Sequence, residues 1–205
     1  MIDKKALYDI SCGLCILSAN DGKKDTGCII NTLCQVASSP LTISIAVNKA
    51  NYTAEVIARS RVFNVSILSE DAPFGMIEHF GFQSGRNVNK FEGCTLSRYS
   101  ANGCRYHFVS TTAFISARVL YELDLGSHLL FIAEVTEAGK TGEGRPMTYA
   151  YYQSTVKPKP QKKEKSEKKA WVCEVCGYIY EGDELPADYI CPICKHPASD
   201  FKPME

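Results

Sequence analysis

Leu41-Thr-Ile-Ser-Ile-Ala-Val47 is the stretch whose reading decides the fold. Leu41, Ile43, Ile45 and Val47 alternate with Thr42, Ser44 and Ala46, so a period of two puts four aliphatic side chains on one face of a strand. Outward from it the same signal recurs. Val62-Phe-Asn-Val-Ser-Ile-Leu68 predicts a second strand, and Ala113, Ile115, Ala117, Val119, Tyr121 and Leu123 predict a longer one with a single apolar face. Leu129 to Val135 predicts another. Two short helices interrupt the strands, one following Asn51 through about Arg59 and one following Asp71 through about Phe80 with Pro73 in its first turn. Many strands and few helices make this a mainly β protein, with the strands expected to close into a barrel.

The pattern stops at residue 156. Lys157 to Lys169 contains seven Lys, two Glu and two Pro and no large apolar residue, so it packs no core and reads as a flexible linker. Extended, its 13 residues reach roughly 40 Å at ~3.1 Å per residue. The expected organisation is therefore a domain over 1–156, a linker over 157–169 and a small domain over 170–205. Net charge is zero overall but unevenly placed: the linker carries +5, residues 170–205 carry −5, and the first 156 residues are neutral. An acidic module on a basic tether fits docking to positively charged partners at salt-sensitive rates. The basic residues sit in a low-complexity run without interleaved aromatics, which argues against nucleic-acid binding. With no long apolar run and no signal-peptide pattern, a membrane role is excluded and a reducing cytoplasm is the expected location.

The small domain holds Cys173-Glu-Val-Cys176 and Cys191-Pro-Ile-Cys194, with 14 residues between the pairs. Each short turn directs two thiolates to one point, and two such turns complete a tetrahedral S4 metal site. The ligands alone fit zinc or iron. The surroundings, Trp171 to Tyr180, then Asp188-Tyr-Ile-Cys-Pro-Ile-Cys194 and Asp200-Phe201, resemble a short rubredoxin. That resemblance implies one mononuclear iron held by Cys173, Cys176, Cys191 and Cys194. Trp171, Tyr178, Tyr180, Tyr189 and Phe201 would build its core. Lys195 departs from the Gly common there. The other reading of the same residues is a structural zinc ribbon.

Residues 12 to about 152 resemble the flavin reductase family. The resemblance rests on Ile16-Leu-Ser-Ala with Asp21-Gly22, on Gly27-Cys-Ile-Ile-Asn-Thr32 leading through Gln35-Val-Ala-Ser-Ser-Pro40, and on Val47-Asn-Lys-Ala-Asn-Tyr-Thr53. It continues through Phe63 to Leu68, Gly85-Arg-Asn-Val-Asn-Lys-Phe91 and Gly126-Ser-His-Leu129. It implies a split β-barrel that binds FMN, dimerises around it and takes electrons from NAD(P)H. Carried onto this sequence, Asn31, Thr32, Cys34 and Gln35 border the flavin ring. Lys49, Asn51, Thr53, Arg86 and Lys90 hold the phosphate end, with a helix N-terminus supplying backbone N–H groups, and Asn48 is a further cofactor-binding residue. His128 lies on the nicotinamide side, although Ser127 replaces the acidic residue usual before it. Cys12 and Cys15, if both lie on the first strand, point to opposite faces and form no redox pair.

The fusion as a whole resembles the high-molecular-weight rubredoxins of anaerobic bacteria. This implies an NAD(P)H-dependent electron carrier delivering to an external acceptor such as a flavodiiron O2 or NO reductase. Two other readings are a flavin reductase that releases reduced flavin, and an FMN-binding module with a structural zinc ribbon.

Overall fold

The computed structural model describes residues 4–158, 170–174, 178–192 and 196–204. The chain divides into two compact units, Met1–Val156 and Lys157–Glu205. Most of the predicted linker, residues 159–169, lies outside the described residues.

Seven antiparallel strands make the sheet of the first unit: β1 (Cys15–Asn20), β2 (Asp25–Ile30), β3 (Cys34–Ser38), β4 (Leu41–Asn48), β5 (Val62–Leu68), β8 (Thr111–Asp124) and β9 (His128–Lys140). Their order is β2-β1-β5-β8-β9-β4-β3, the connectivity of a split barrel. β6 (Ser97–Tyr99) and β7 (Arg105–His107) form a small separate hairpin. In β4, Ile43, Ile45 and Val47 are buried as the alternation requires, but Leu41 is 43% exposed. Leu41 pairs with Ser38 on edge strand β3, all of whose residues are exposed, so the start of β4 overhangs the core.

The single apolar face expected for β8 is also broken. Its pairing with β9 slips between Val119 and Tyr121, so Val119 faces inward opposite Ala133 while Tyr121 lies opposite Ile132. One extra residue reverses side-chain parity, and Tyr121 and Leu123 emerge on the outer surface at 68% and 57% exposure. In β5 the polar residues Asn64 and Ser66 are fully buried, because the β6–β7 hairpin region covers them. The Asn64 amide donates to the Cys104 carbonyl at 2.8 Å, and Ser66 Oγ accepts from the His107 N–H at 2.9 Å.

Two cores flank β1, which is buried on both faces. Leu17 packs with Ile45, Val56, Ile57, Phe63, Val65 and Phe131, whereas Ile16 packs with Leu14, Leu68, Ile77, Phe80, Phe91 and Met147. Helix α1 (Tyr52–Ser60) supplies Val56 and Ile57 to the first. It ends at Arg61, whose φ of 61° is left-handed and whose N–H returns to the Ile57 carbonyl. Helix α2 (Phe74–Gly81) supplies Ile77 and Phe80 to the second. α2 begins later than the sequence predicts: Ala72 N–H closes a turn onto the Ser69 carbonyl and Ser69 Oγ bonds the Asp71 carboxylate, leaving Pro73 as N-cap. A short helix, α3 (Tyr149–Tyr151), starts on Thr148, whose Oγ1 accepts from the Tyr151 N–H.

In the second unit β10 (Ala170–Cys173) lies between β11 (Ile179–Glu181) and β12 (Phe201–Met204). Its small core is Cys173, Cys191 and Phe201, ringed by Trp171, Tyr178, Tyr180, Leu185 and Tyr189. All five predicted aromatics are in it.

Candidate functional site

The C-terminal end of β4 gathers most of the predicted flavin-binding residues. Thr32 is pinned there: its hydroxyl donates to the Ala46 carbonyl at 2.7 Å and accepts from the Ala46 N–H at 3.1 Å. That side chain fixes the segment carrying Asn31 beside β4. Cys34 and Gln35 follow on edge strand β3, both exposed, with Cys34 opposite Ser44 and Gln35 opposite Ile43. Two residues past Ala46, Asn48 pairs with His128 across the sheet. Asn48 Oδ1 accepts the Ala50 N–H at 2.9 Å, turning the chain toward α1. His128 Nδ1 lies 2.8 Å from Ser127 Oγ, and the Ser127 carbonyl accepts from Lys49 N–H at 3.0 Å. That contact sets the orientation of the imidazole.

Asn51 is the N-cap of α1 by backbone, with φ −76° and ψ 125°, yet its side chain makes no cap bond. The amide is therefore available to a ligand at the positive end of the helix dipole. Thr53 is buried, with its hydroxyl 3.3 Å from Thr26 Oγ1, so its side chain faces the interior. Arg86 is exposed, ion-paired with Glu55, and its guanidinium lies 5.4 Å from the centre of the Tyr52 ring. The loop bearing it is pressed onto β2: a Cβ at Gly85 would fall 2.5 Å from Thr26 Oγ1, and the Gly85 carbonyl accepts from Lys24 Nζ at 2.7 Å. Lys49 pairs with Asp124 at 2.7 Å in the open, and that hydrogen bond holds the Asp124 carboxyl below its usual range.

Lys90 departs from the sequence expectation. It is 3% exposed, and Nζ donates to the Gly27 and Phe80 carbonyls at 2.9 and 2.6 Å, so it ties β2 to α2 instead of facing solvent. Burial draws its pKa down to about 8. Tyr52, Lys24 and Thr26 were not singled out by sequence. Their roles arise from loop and strand pairings far apart in the chain, for which no local signal exists.

Above this end, Tyr121, Leu123, Leu125 and Val36 are at least half exposed, and Ile132 and Leu130 lie beside Tyr121 and Leu123 on the outer face. Of the two N-terminal cysteines only Cys15 is in β1; Cys12 precedes it, so the two do not share a strand. Cys15 is buried, which pushes its thiol up to about 12.

In the second unit, Cys173 and Cys191 are both fully buried in one cluster. The Cys173 N–H donates to the Tyr178 carbonyl and the Cys191 N–H to the His196 carbonyl, each at 2.8 Å. The same five-residue closure at both knuckles is what a pair of matched ligand turns requires, so the residues present fit a tetrathiolate metal. Cys176, Cys194 and the departure at Lys195 lie outside the described residues.

Residues 7–159 match the flavin reductase like domain family. The chain belongs to that family. Residues 171–202 match the rubrerythrin, rubredoxin-like domain. Among relatives of this flavin reductase-like chain, the high molecular weight rubredoxin of Moorella thermoacetica is 35% identical over 94% of the chain and 96% of its own length. The ferric-chelate reductase (NAD(P)H) of Archaeoglobus fulgidus is 33% identical over 77% of the chain and 93% of its own. The structure of the NADH:FAD oxidoreductase SgcE6 of Streptomyces globisporus C-1027 superposes with a TM-score of 0.63 at 20% identity, covering 72% of this chain and 90% of that one, which shows a shared fold. The chain is an oxidoreductase that joins a flavin reductase-like domain to a rubredoxin-like one. Among the described residues no helix is long and apolar enough to cross a membrane.

Proposed function

We propose that this protein takes electrons from NAD(P)H onto FMN in its first domain and passes them singly, through iron in its second, to an external protein acceptor such as a flavodiiron-type reductase. When bound, FMN supplies two-electron acceptance with one-electron release, and tetrathiolate iron supplies one-electron carriage. The observation that carries the reading is the union of the two domains in one chain. A reductase that only releases flavin has no use for a terminal carrier.

The chain's own residues have limited tasks. The first turn of α1, the Asn51 amide and Arg86 bind and neutralise the phosphate. The Asn31–Thr32 segment, fixed on Ala46, offers polar groups to the ring edge. His128, oriented by Ser127, borders the nicotinamide side. Cys173, Cys176, Cys191 and Cys194 hold the iron. A second copy covers the outer face around Tyr121 and Leu123 and excludes water from the ring, making the protein a homodimer; the exposed apolar side chains there support this.

The test is metal and flavin analysis of anaerobically purified protein, followed by Cys176→Ser. Stoichiometric iron and flavin are expected, with the variant retaining flavin reduction by NAD(P)H and losing delivery to an added acceptor. Equal delivery by the variant, or zinc in place of iron in material made without zinc excess, would reject the route.

A further inference from the structure

The Lys90 ammonium is buried at 3% exposure, yet both of its hydrogen bonds go to neutral carbonyls, Gly27 on β2 at 2.9 Å and Phe80 in the last turn of α2 at 2.6 Å. Among the described residues no carboxylate pairs with it. A buried cation held by dipoles alone is poorly screened and attracts any anion bound nearby. The groups around it do not supply one. On β2, Asp25 is bound by Arg105, Tyr99 and Asn20. Cys28, also on β2, is buried, and burial pushes its thiol up to about 11 although the Lys90 charge and a hydrogen bond with Thr53 act the other way. On α2, His79 Nε2 lies 2.8 Å from the Lys90 carbonyl. On β7, His107 is kept neutral by burial above about pH 4. In the segment leading to Lys90, Arg86 pairs with Glu55 of α1.

The path from Lys90 to α1 is short. Gly27, which accepts from it, stands between Thr26 and Cys28, and both of these meet Thr53: Thr26 Oγ1 at 3.3 Å and Cys28 through its thiol. Thr53 is in the first turn of α1. We propose that Lys90 is a positioning residue for the flavin phosphate, acting without touching it: its buried charge draws the phosphate to the first turn of α1, and its two carbonyl bonds fix the loop that carries Arg86. The inference rests on the reading that the phosphate lies at that turn. It carries a proton consequence. With the amine poised near pH 8, a bound anion favours the ammonium, so FMN takes up part of a proton between pH 8 and 9 and binds more weakly once the amine is neutral. A phosphate, dianionic above about pH 6, and Arg86 keep their charge throughout that window.

The experiment measures dissociation constants of FMN and of riboflavin, which lacks the phosphate, from pH 7.0 to 9.5 for the full-length parent, Lys90→Met and Arg86→Ala. In the parent the riboflavin-to-FMN ratio should be large at pH 7 and fall about tenfold by pH 9.5, the effect of a one-unit rise in the Lys90 pKa on binding. It should be low and flat in Lys90→Met, and lowered but still falling with pH in Arg86→Ala. The urea midpoint of the flavin-free parent relative to Lys90→Met should rise from pH 8 to 10, because the unfolded lysine keeps its proton to about 10.4. A general alkaline loosening would instead lower stability and affinity together. Calorimetry of the parent at pH 8.5, in two buffers of different ionisation enthalpy, should show proton uptake with FMN and none with riboflavin, which decides the matter even where Lys90→Met does not fold. A ratio that is large at pH 7 and flat to 9.5, or FMN binding without proton uptake, overturns the inference and leaves the phosphate site standing. Equal constants for FMN and riboflavin at pH 7 reject the phosphate site itself, and this inference with it.

Discussion

His107 is 2% exposed, and neither ring nitrogen has a hydrogen-bond partner. It packs between Phe80 and Phe91, at 5.0 and 5.6 Å between ring centres. Burial first, then the charges of His79 and Arg105, lower its pKa from 6.5 to about 4. Between those values the unfolded chain binds a proton that the folded one refuses, so stability is complete above about pH 6.5 and drains as pH falls toward 4, by up to about 3 kcal/mol. Urea midpoints from pH 7.5 to 4.5 should fall for the parent and fall less for His107→Phe. Gly85 gives a second case. Gly85→Ala drives a methyl group against the Thr26 hydroxyl, so it should cost roughly 1–3 kcal/mol and weaken FMN binding by displacing Arg86, read by melting temperature and flavin titration. At this scale the sequence was only partly legible. Arg86 and Lys90 share one short segment and the same local argument for phosphate contact. Only the packing of that segment between β2 and α2 sends one lysine inward to two carbonyls and leaves the arginine outside.

At the scale of elements, β4, β5, β8, β9 and both helices were readable from periodicity, because half-buried strands and amphipathic turns leave a regular pattern. Two misreadings have specific causes. A bulge in β8 reverses parity without altering composition. Local side-chain bonds of Ser69 and Asp71 compete with the first turn of α2. The bulge places Tyr121 and Leu123 outside, and the proposed dimer uses that displacement. Leu123→Glu should leave the far-UV circular dichroism and the melting of the first domain nearly intact. It should halve the mass measured by light scattering and loosen FMN several-fold. An unchanged mass would exclude this face as the contact.

For the whole molecule, the division at residue 156 was legible from composition, since a core cannot be built from Lys, Pro and Glu, and the tether proposed for residues 157–169 rests on that same composition. The proposed flavin end was less so: its candidate ligands come from four segments, 31–35, 48–53, 86–90 and 128, and only folding shows that Thr32, Asn48, Asn51 and His128 meet at one end of one strand. Deleting residues 157–169 should slow electron transfer from flavin to iron in single-turnover kinetics while leaving hydride uptake from NAD(P)H unchanged. An undiminished rate would mean that the tether is not what brings the two centres together.

Neighbouring residues Ile16 and Leu17 are rooted in different hydrophobic clusters, because β1 is covered on both sides. Neither cluster can therefore loosen without drawing out the strand on which the other rests. Calorimetry of the N-terminal part should show one sharp endotherm with no half-melted plateau, and the sulfur-ligated tail should melt on its own schedule, set by chelators more than by heat.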